Sequence, residues 1–192
     1  MSQAPQWAGP FARALGRSAL RLLGWQLQVE FPPLPKLVIV GAPHTSNWDG
    51  IVAVAAIMAL GVRVNWFAKD SLFRWPFRGL LVALGGVPIA RQAAGGIVEQ
   101  TSAIFAAKSQ LYVAVAPEGT RGRAPIWKSG FYRIALASGA PILLAYLDYR
   151  RKVIGSGPLI LPSGDYDADL AQIQQFYRDV TPRHPQRFAA EG

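Results

Sequence analysis

Cysteine is absent from the 192-residue chain, which removes disulfides, thiolate nucleophiles and cysteine-ligated zinc from consideration. Histidine is almost absent: His44 and His184 are the only two. His184 sits in a proline-rich tail and no His/Cys cluster exists, so no ligand set for a metal is expected. Acidic residues are scarce, 11 against 20 Lys+Arg, giving a formal charge of +9 and a pI near 10.4. Long apolar runs are missing too. The longest, Ile51–Val62, has 12 residues, whereas a bilayer-spanning helix needs about 20, so this run reads as a buried helix. Residues 1–10 lack the basic cluster and apolar core of a signal peptide. There are no internal repeats and no low-complexity tract. The expected location is cytoplasmic, and monotopic if the chain meets a membrane.

What is present is apolar as well as basic. Hydrophobic residues make up 51% of the chain, charged residues only 16%, and mean hydropathy is +0.19. The length suits one domain with a full core. A charge of this sign calls for an anionic partner, whether nucleic acid, a membrane surface or an acidic carrier protein. High apolar content favours a lipid surface over nucleic acid.

Phe11–Leu27 carries a helical pattern, with Arg13, Arg17 and Arg21 on one stripe and Phe11, Leu15, Ala19, Leu22 and Leu23 over much of the rest. Either the helix packs on the domain with its arginines solvated, or it lies in a membrane interface. Phe31-Pro32-Pro33-Leu34-Pro35 is a stiff connector. It divides an N-terminal amphipathic segment, residues 1–30, from the main domain, 31–192.

Strands are expected at 37–40, 63–68, 86–91, 111–116, 141–147 and around 153–154. Helices are expected at 50–60, 71–84 with a break at Pro76, 96–108, 127–138 and 165–180. The alternation predicts an α/β single domain: a mostly parallel mixed sheet flanked by helices, preceded by the N-terminal amphipathic helix.

Two segments follow predicted buried strands directly, where open α/β sheets hold their ligands. The first is His44-Thr45-Ser46-Asn47-Trp48-Asp49. A neutral imidazole can take a proton from a hydroxyl near neutral pH, and a carboxylate on its far nitrogen fixes the tautomer. Five residues is the wrong spacing for one helix face, but it works if His44 lies in a loop and Asp49 opens the helix. The same residues also read as a plain loop histidine beside a helix-start aspartate. The second segment is Pro117-Glu118-Gly119-Thr120-Arg121. Its glycine lets backbone amides approach an oxyanion, its arginine offers a fork suited to phosphate, and its threonine adds a hydroxyl. A glycine turn with solvated charges is the plainer reading. Arg91, Lys128 and Lys69 are further cations near strand ends or helix starts. Six tryptophans, with Trp75 set among arginines, suit a membrane interface, stacking on single-stranded nucleic acid, or core packing.

Taken in order, these segments resemble the glycerophospholipid acyltransferase superfamily, which includes the 1-acylglycerol-3-phosphate and other lysophospholipid acyltransferases, in its compact bacterial form. The resemblance runs from about Val38 to Leu147. It rests on a first motif at His44, Ser46 and Asp49 and a second at Gly85 to Arg91. The third is Pro117 to Arg121, followed by Lys128 and Gly130, and the fourth opens at Pro141. Pro43 stands where the family usually has asparagine, Ala90 where it commonly has an acid, and Leu144 where a second proline is expected.

The resemblance implies transfer of a fatty acyl group from acyl-CoA or acyl carrier protein to the hydroxyl of a lysophospholipid such as 1-acylglycerol 3-phosphate. His44 would be the base and Asp49 its orienting acid. Ser46, Arg91, Glu118, Gly119, Thr120, Arg121 and Lys128 would bind substrate. No metal and no cofactor beyond the acyl-thioester co-substrate is implied. Partners would be the acyl donor, the lysolipid acceptor and an anionic membrane touched peripherally on the cytoplasmic side of the inner membrane. One alternative is another acceptor, such as a lyso-aminolipid. A non-catalytic basic protein binding lipid or nucleic acid is another, but it leaves the two motifs unexplained.

Overall fold

The structure is a computed structural model and describes residues 4–7, 9–89 and 96–188. Helix α1 (Pro10–Leu22) leads to strand β1 (Gln26–Gln28), then β2 (Lys36–Gly41), α2 (Asn47–Leu60) and β3 (Val64–Lys69). A 3-10 turn (Asp70–Leu72) and the short helix α3 (Arg78–Ala83) precede β4 (Gly86–Ile89), α4 (Gly96–Ala107) and β5 (Leu111–Val115). The chain continues through α5 (Gly130–Ser138), β6 (Ile142–Asp148), β7 (Val153–Ile160) and α6 (Tyr166–Tyr177), and closes on a 3-10 turn (Pro185–Arg187).

The described strands form one seven-stranded sheet in the order β1-β7-β6-β2-β5-β3-β4. Strands β2 to β6 run parallel, while β7 pairs antiparallel with β6 and parallel with β1. The α/β single domain with a mostly parallel mixed sheet and a leading amphipathic helix is therefore the observed architecture.

Strand alternation sets the layers. Val38 and Val40 join Val113, Ile142 and Leu144 in a core shared with Phe105, Phe131, Ile134 and Tyr177 of α4, α5 and α6. Leu37 and Ile39 face the other way, beside Tyr112, Leu143 and, from α2, Ile57 and Leu60. On that second side Leu20 of α1 packs with Val52, Ala55, Ala56 and Ala59 of α2. The long apolar run Ile51–Val62 is thus a helix held between α1 and the sheet, with Gly61 (φ 72°) as its left-handed cap.

Three boundaries differ from the sequence expectation. The N-terminal helix ends at Leu22, because Gly24 turns the chain through a positive φ of 73° and releases residues 26–28 to the sheet edge. The helix expected over 71–84 is instead a 3-10 turn and the six residues of α3, divided around Pro76. The strand expected around 153–154 runs eight residues, because the turn after Asp148 folds it back on β6 as a hairpin.

Helix α1 packs closely on the rest of the molecule. At Gly16 a Cβ would lie 2.5 Å from the Ala59 nitrogen and 2.6 Å from the Ala55 oxygen. Those are main-chain atoms that cannot yield without separating the helices. Gly16→Val should lower stability by about 2–3 kcal/mol and loosen α1 from α2, as a lower thermal midpoint and faster proteolysis near residue 16 would report. The outer side of α1 is different. Phe11 is 83% exposed and Leu22 88%, with Leu15, Arg17 and Arg21 also exposed. No helix among the described residues is long and apolar enough to cross a membrane.

Candidate active site

The first motif is built by the end of β2 and the start of α2. Strand β2 stops at Gly41, a cis Ala42–Pro43 bond follows, and His44 stands in the loop. Ser46 is the N-cap of α2: its hydroxyl accepts from the Trp48 N–H at 3.1 Å. Asp49 is the third helical residue, and its carboxylate reaches back to complete a capping box. Oδ2 accepts from the Thr45 N–H at 2.7 Å and the Ser46 N–H at 2.8 Å, and His44 Nδ1 lies 3.5 Å from the same oxygen. Oδ1 accepts from the Tyr149 hydroxyl at 2.6 Å. The five-residue spacing thus brings His44, in the loop, within 3.5 Å of Asp49 at the helix start.

Asp49 is buried, at 2% exposure, and the His44 imidazole is 30% exposed. With Nδ1 turned to Asp49, Nε2 is the nitrogen left for a substrate. Burial pulls the His44 pKa down; Asp49 opposes this and the Arg121 guanidinium adds to it. The net direction is downward, so the imidazole is neutral and able to accept a proton at neutral pH. Burial and the Asp49 carboxylate push the Tyr149 hydroxyl up, so it remains a donor.

The second segment arrives beside the first because β2 and β5 are adjacent and parallel, with Val40 opposite Val115. Both strands therefore deliver their loops at the same carboxyl end of the sheet. Glu118 Oε1 accepts from the His44 N–H at 2.8 Å, tying the two loops together. Glu118 is only 3% exposed, and its Oε2 has no hydrogen-bond partner among the described residues. Burial pushes its pKa up to about 7, although the His44 N–H pulls the other way.

The consequence for stability follows from the sign of that shift. A carboxyl raised on folding from 4.5 to about 7 contributes fully below the lower value and loses that contribution as the pH rises through the upper one. Glu118→Gln keeps the acceptor for the His44 N–H and removes the titration. The variant should match the parent near about pH 4 and exceed it by up to about 3 kcal/mol near about pH 8. Denaturant melts across the range check this, and parallel pH profiles for the two proteins would refute it.

Gly119 takes a positive φ of 63°, and the Lys128 side chain lies 2.9 Å from where its Cβ would stand. The Lys128 N–H donates to the Pro117 oxygen at 2.8 Å, and the neighbouring Trp127 is buried, 5.6 Å from the Tyr177 ring. Thr120 Oγ1 accepts from the Gly122 N–H at 3.2 Å, inside its own turn. Arg121 Nη1 donates to Asn47 Oδ1, which places the guanidinium over the start of α2. A cleft of about 320 Å³ opens there, lined by Thr45, Ser46, Asn47, Trp48, Arg121 and Arg187.

The structure therefore gathers His44, Ser46, Asp49, Glu118, Gly119, Thr120, Arg121 and Lys128 around two loops. Arg91 lies outside the described residues, as does the Lys69 side chain. Sequence reasoning missed Tyr149, Asn47, Arg183 and Arg187. Arg183 lies over the Trp48 ring at 5.4 Å and the Tyr149 ring at 5.9 Å. Tyr149 carried one usable signal, its position just past the carboxyl end of a central strand. The others carried none. A separate cavity of about 220 Å³ sits among Phe67, Val87, Ile104, Leu111 and Val113; Val87 belongs to the second motif, but no residue of the His44 or Glu118 loops lines it.

Against known proteins, the profile of a family described as Acyltransferase matches residues 28–146, more than half of the chain. Among solved structures the chain is similar to the 1-acyl-sn-glycerophosphate (LPA) acyltransferase PlsC from Thermotoga maritima. The match has 19% identity and a TM-score of 0.62, and covers 86% of this chain and 75% of that one. At this identity the likeness is one of fold. No curated protein matches the chain by sequence. Tyr149, Arg183 and Arg187 all lie beyond the residues matched by the family profile.

Proposed function

The chain belongs to the acyltransferase family, and from that premise we propose that it moves a fatty acyl group from acyl-CoA or acyl carrier protein to the hydroxyl of a lysophospholipid such as 1-acylglycerol 3-phosphate. The observation that carries this reading is the His44–Asp49 pair, 3.5 Å apart, with the imidazole partly open and its pKa lowered. The pair stands beside a cleft that holds Arg121.

In this mechanism His44 Nε2 takes the proton of the acceptor hydroxyl as the oxygen attacks the thioester carbonyl. A tetrahedral oxyanion forms and then collapses, breaking the carbon–sulfur bond, and the thiolate leaves with the proton returned by the imidazolium. Asp49 stabilises that imidazolium and is itself fixed by the Thr45 and Ser46 amides and the Tyr149 hydroxyl. Attack is direct, so no protein nucleophile is needed. Arg121 takes the acceptor's phosphate, with Arg91 and Lys128 as further cations. Glu118 braces the His44 main chain, and Ser46, Gly119 and Thr120 shape the two loops. No metal or cofactor has a part in these steps.

Contact with the membrane is the remaining element. The exposed Phe11, Leu15 and Leu22 of α1, with Arg17 and Arg21 beside them, support peripheral docking on an anionic leaflet. The test of the whole reading is a mass-spectrometric screen of purified protein with acyl-thioester donors and a panel of lysolipids, run with anionic vesicles. Acylation of a phosphate-bearing lysolipid is the expected result. Acylation of a lyso-aminolipid alone would replace the acceptor, and no acylation at all would overturn the proposal.

A further inference from the structure

Residues 181–188, well beyond the family match, form a strap across the mouth of the site. It is anchored along its length. The Tyr149 N–H donates to the Thr181 oxygen at 2.8 Å, and the His184 N–H donates to Thr45 Oγ1 at 3.2 Å. Phe188 packs 6.4 Å from Trp127, ring to ring. Arg187 Nη1 donates to the Thr45 carbonyl at 3.3 Å, so the guanidinium stands in the cleft that also holds Arg121.

Electrostatically this arrangement is unbalanced. Arg121 is held by the neutral Asn47 amide and Arg187 by a neutral carbonyl. Among the described residues neither pairs with a carboxylate; the ion pairs are His44–Asp49 and Arg151–Asp148. Two guanidinium groups on one small cleft repel each other, and each retains donors beyond its one bond. A dianionic ligand with several acceptor oxygens relieves the repulsion and accepts from both forks.

We infer that Arg187 is a second binding residue for a phosphomonoester headgroup, closing with Arg121 on the phosphate from the C-terminal side of the cleft. The assignment rests on the acceptor reading above only for the identity of the ligand, because the charge arrangement stands without it. It also gives the strap a function: it carries a specificity-determining cation to a site otherwise made by the two motif loops.

The experiment is calorimetric titration of the full chain with sn-glycerol 3-phosphate, with inorganic phosphate and with glycerol. It is repeated for Arg187→Gln, Arg187→Lys and Arg121→Gln, and thermal melts check the fold of each. Binding of glycerol 3-phosphate but not glycerol is expected, weakened about tenfold or more by Arg187→Gln and less by Arg187→Lys. Unchanged affinity in a folded Arg187→Gln, or no binding by the parent protein, overturns the inference. Inorganic phosphate bound as tightly as glycerol 3-phosphate overturns the headgroup assignment. In the acyl-transfer assay Arg187→Gln should raise KM for the phosphorylated acceptor while sparing that for a neutral one. Acyl transfer indifferent to Arg187 would sink this inference and leave the proposed function standing. Phosphomonoester binding lost in Arg187→Gln, with no acyl transfer by the parent, would do the reverse.

Discussion

His44→Ala should reduce acyl transfer by about 10³-fold or more and leave the melting curve almost unmoved. The two halves of this expectation come from different parts of one residue. The structural bond of His44 is made by its main chain, whose N–H donates to Glu118 at 2.8 Å and persists in alanine. Among the described residues the side chain has one ion-pair partner, Asp49 at 3.5 Å, and is partly exposed. Its loss therefore costs about 0.5 kcal/mol or less, while the base that accepts the hydroxyl proton is gone. Initial rates with the best acceptor from the lysolipid screen, together with a thermal melt, measure both. A well-folded variant that retains substantial turnover would remove His44 from the mechanism.

Asp49→Ala should cost both activity and stability. Its carboxylate accepts from the Thr45 and Ser46 amides and from the Tyr149 hydroxyl. Alanine leaves these donors without their partner in a buried place, a loss of about 3 kcal/mol after partial rewetting. The rate should fall about 10³-fold, since the imidazolium loses its counter-charge and His44 its orientation. Asp49→Asn separates the two effects. Its amide oxygen still accepts from the helix start, so most of the stability returns, but the neutral side chain does not restore the rate. If Asp49→Asn turned over like the parent, the carboxylate would be a helix cap and nothing more.

The contrast between these two residues also marks how far the sequence could be read. The α/β class was legible because apolar strands and helical runs alternate. The two loops were legible because each follows a buried β-branched strand. Asp49 was readable at short range: a carboxylate three residues after Ser46 is a capping box whatever else it does. Long-range partners left no such trace. Nothing near Tyr149 says that its hydroxyl meets a residue 100 positions earlier, and Arg187 reads as one more surface arginine until the strap brings it to Thr45. The N-terminal helix was overrun by five residues because the apolar pattern continues through Leu23 and Trp25, while Gly24 ends the helix through its backbone conformation. Arg91, the end of the second motif, lies outside the described residues.

The edge strand β1 has a consequence for how the chain is made. Among the described residues, 26–28 pair only with 153–155, and the central strand β2 finds its neighbours at 111–115 and 142–145. During synthesis the segment bearing His44 therefore leaves the ribosome long before any strand that can hold it. The amphipathic α1 and the apolar α2 must wait with it. Such a topology delays closure until the hairpin of β6 and β7 has emerged. Truncated or stalled chains ending before about residue 160 should accordingly be chaperone clients rather than partly active enzymes.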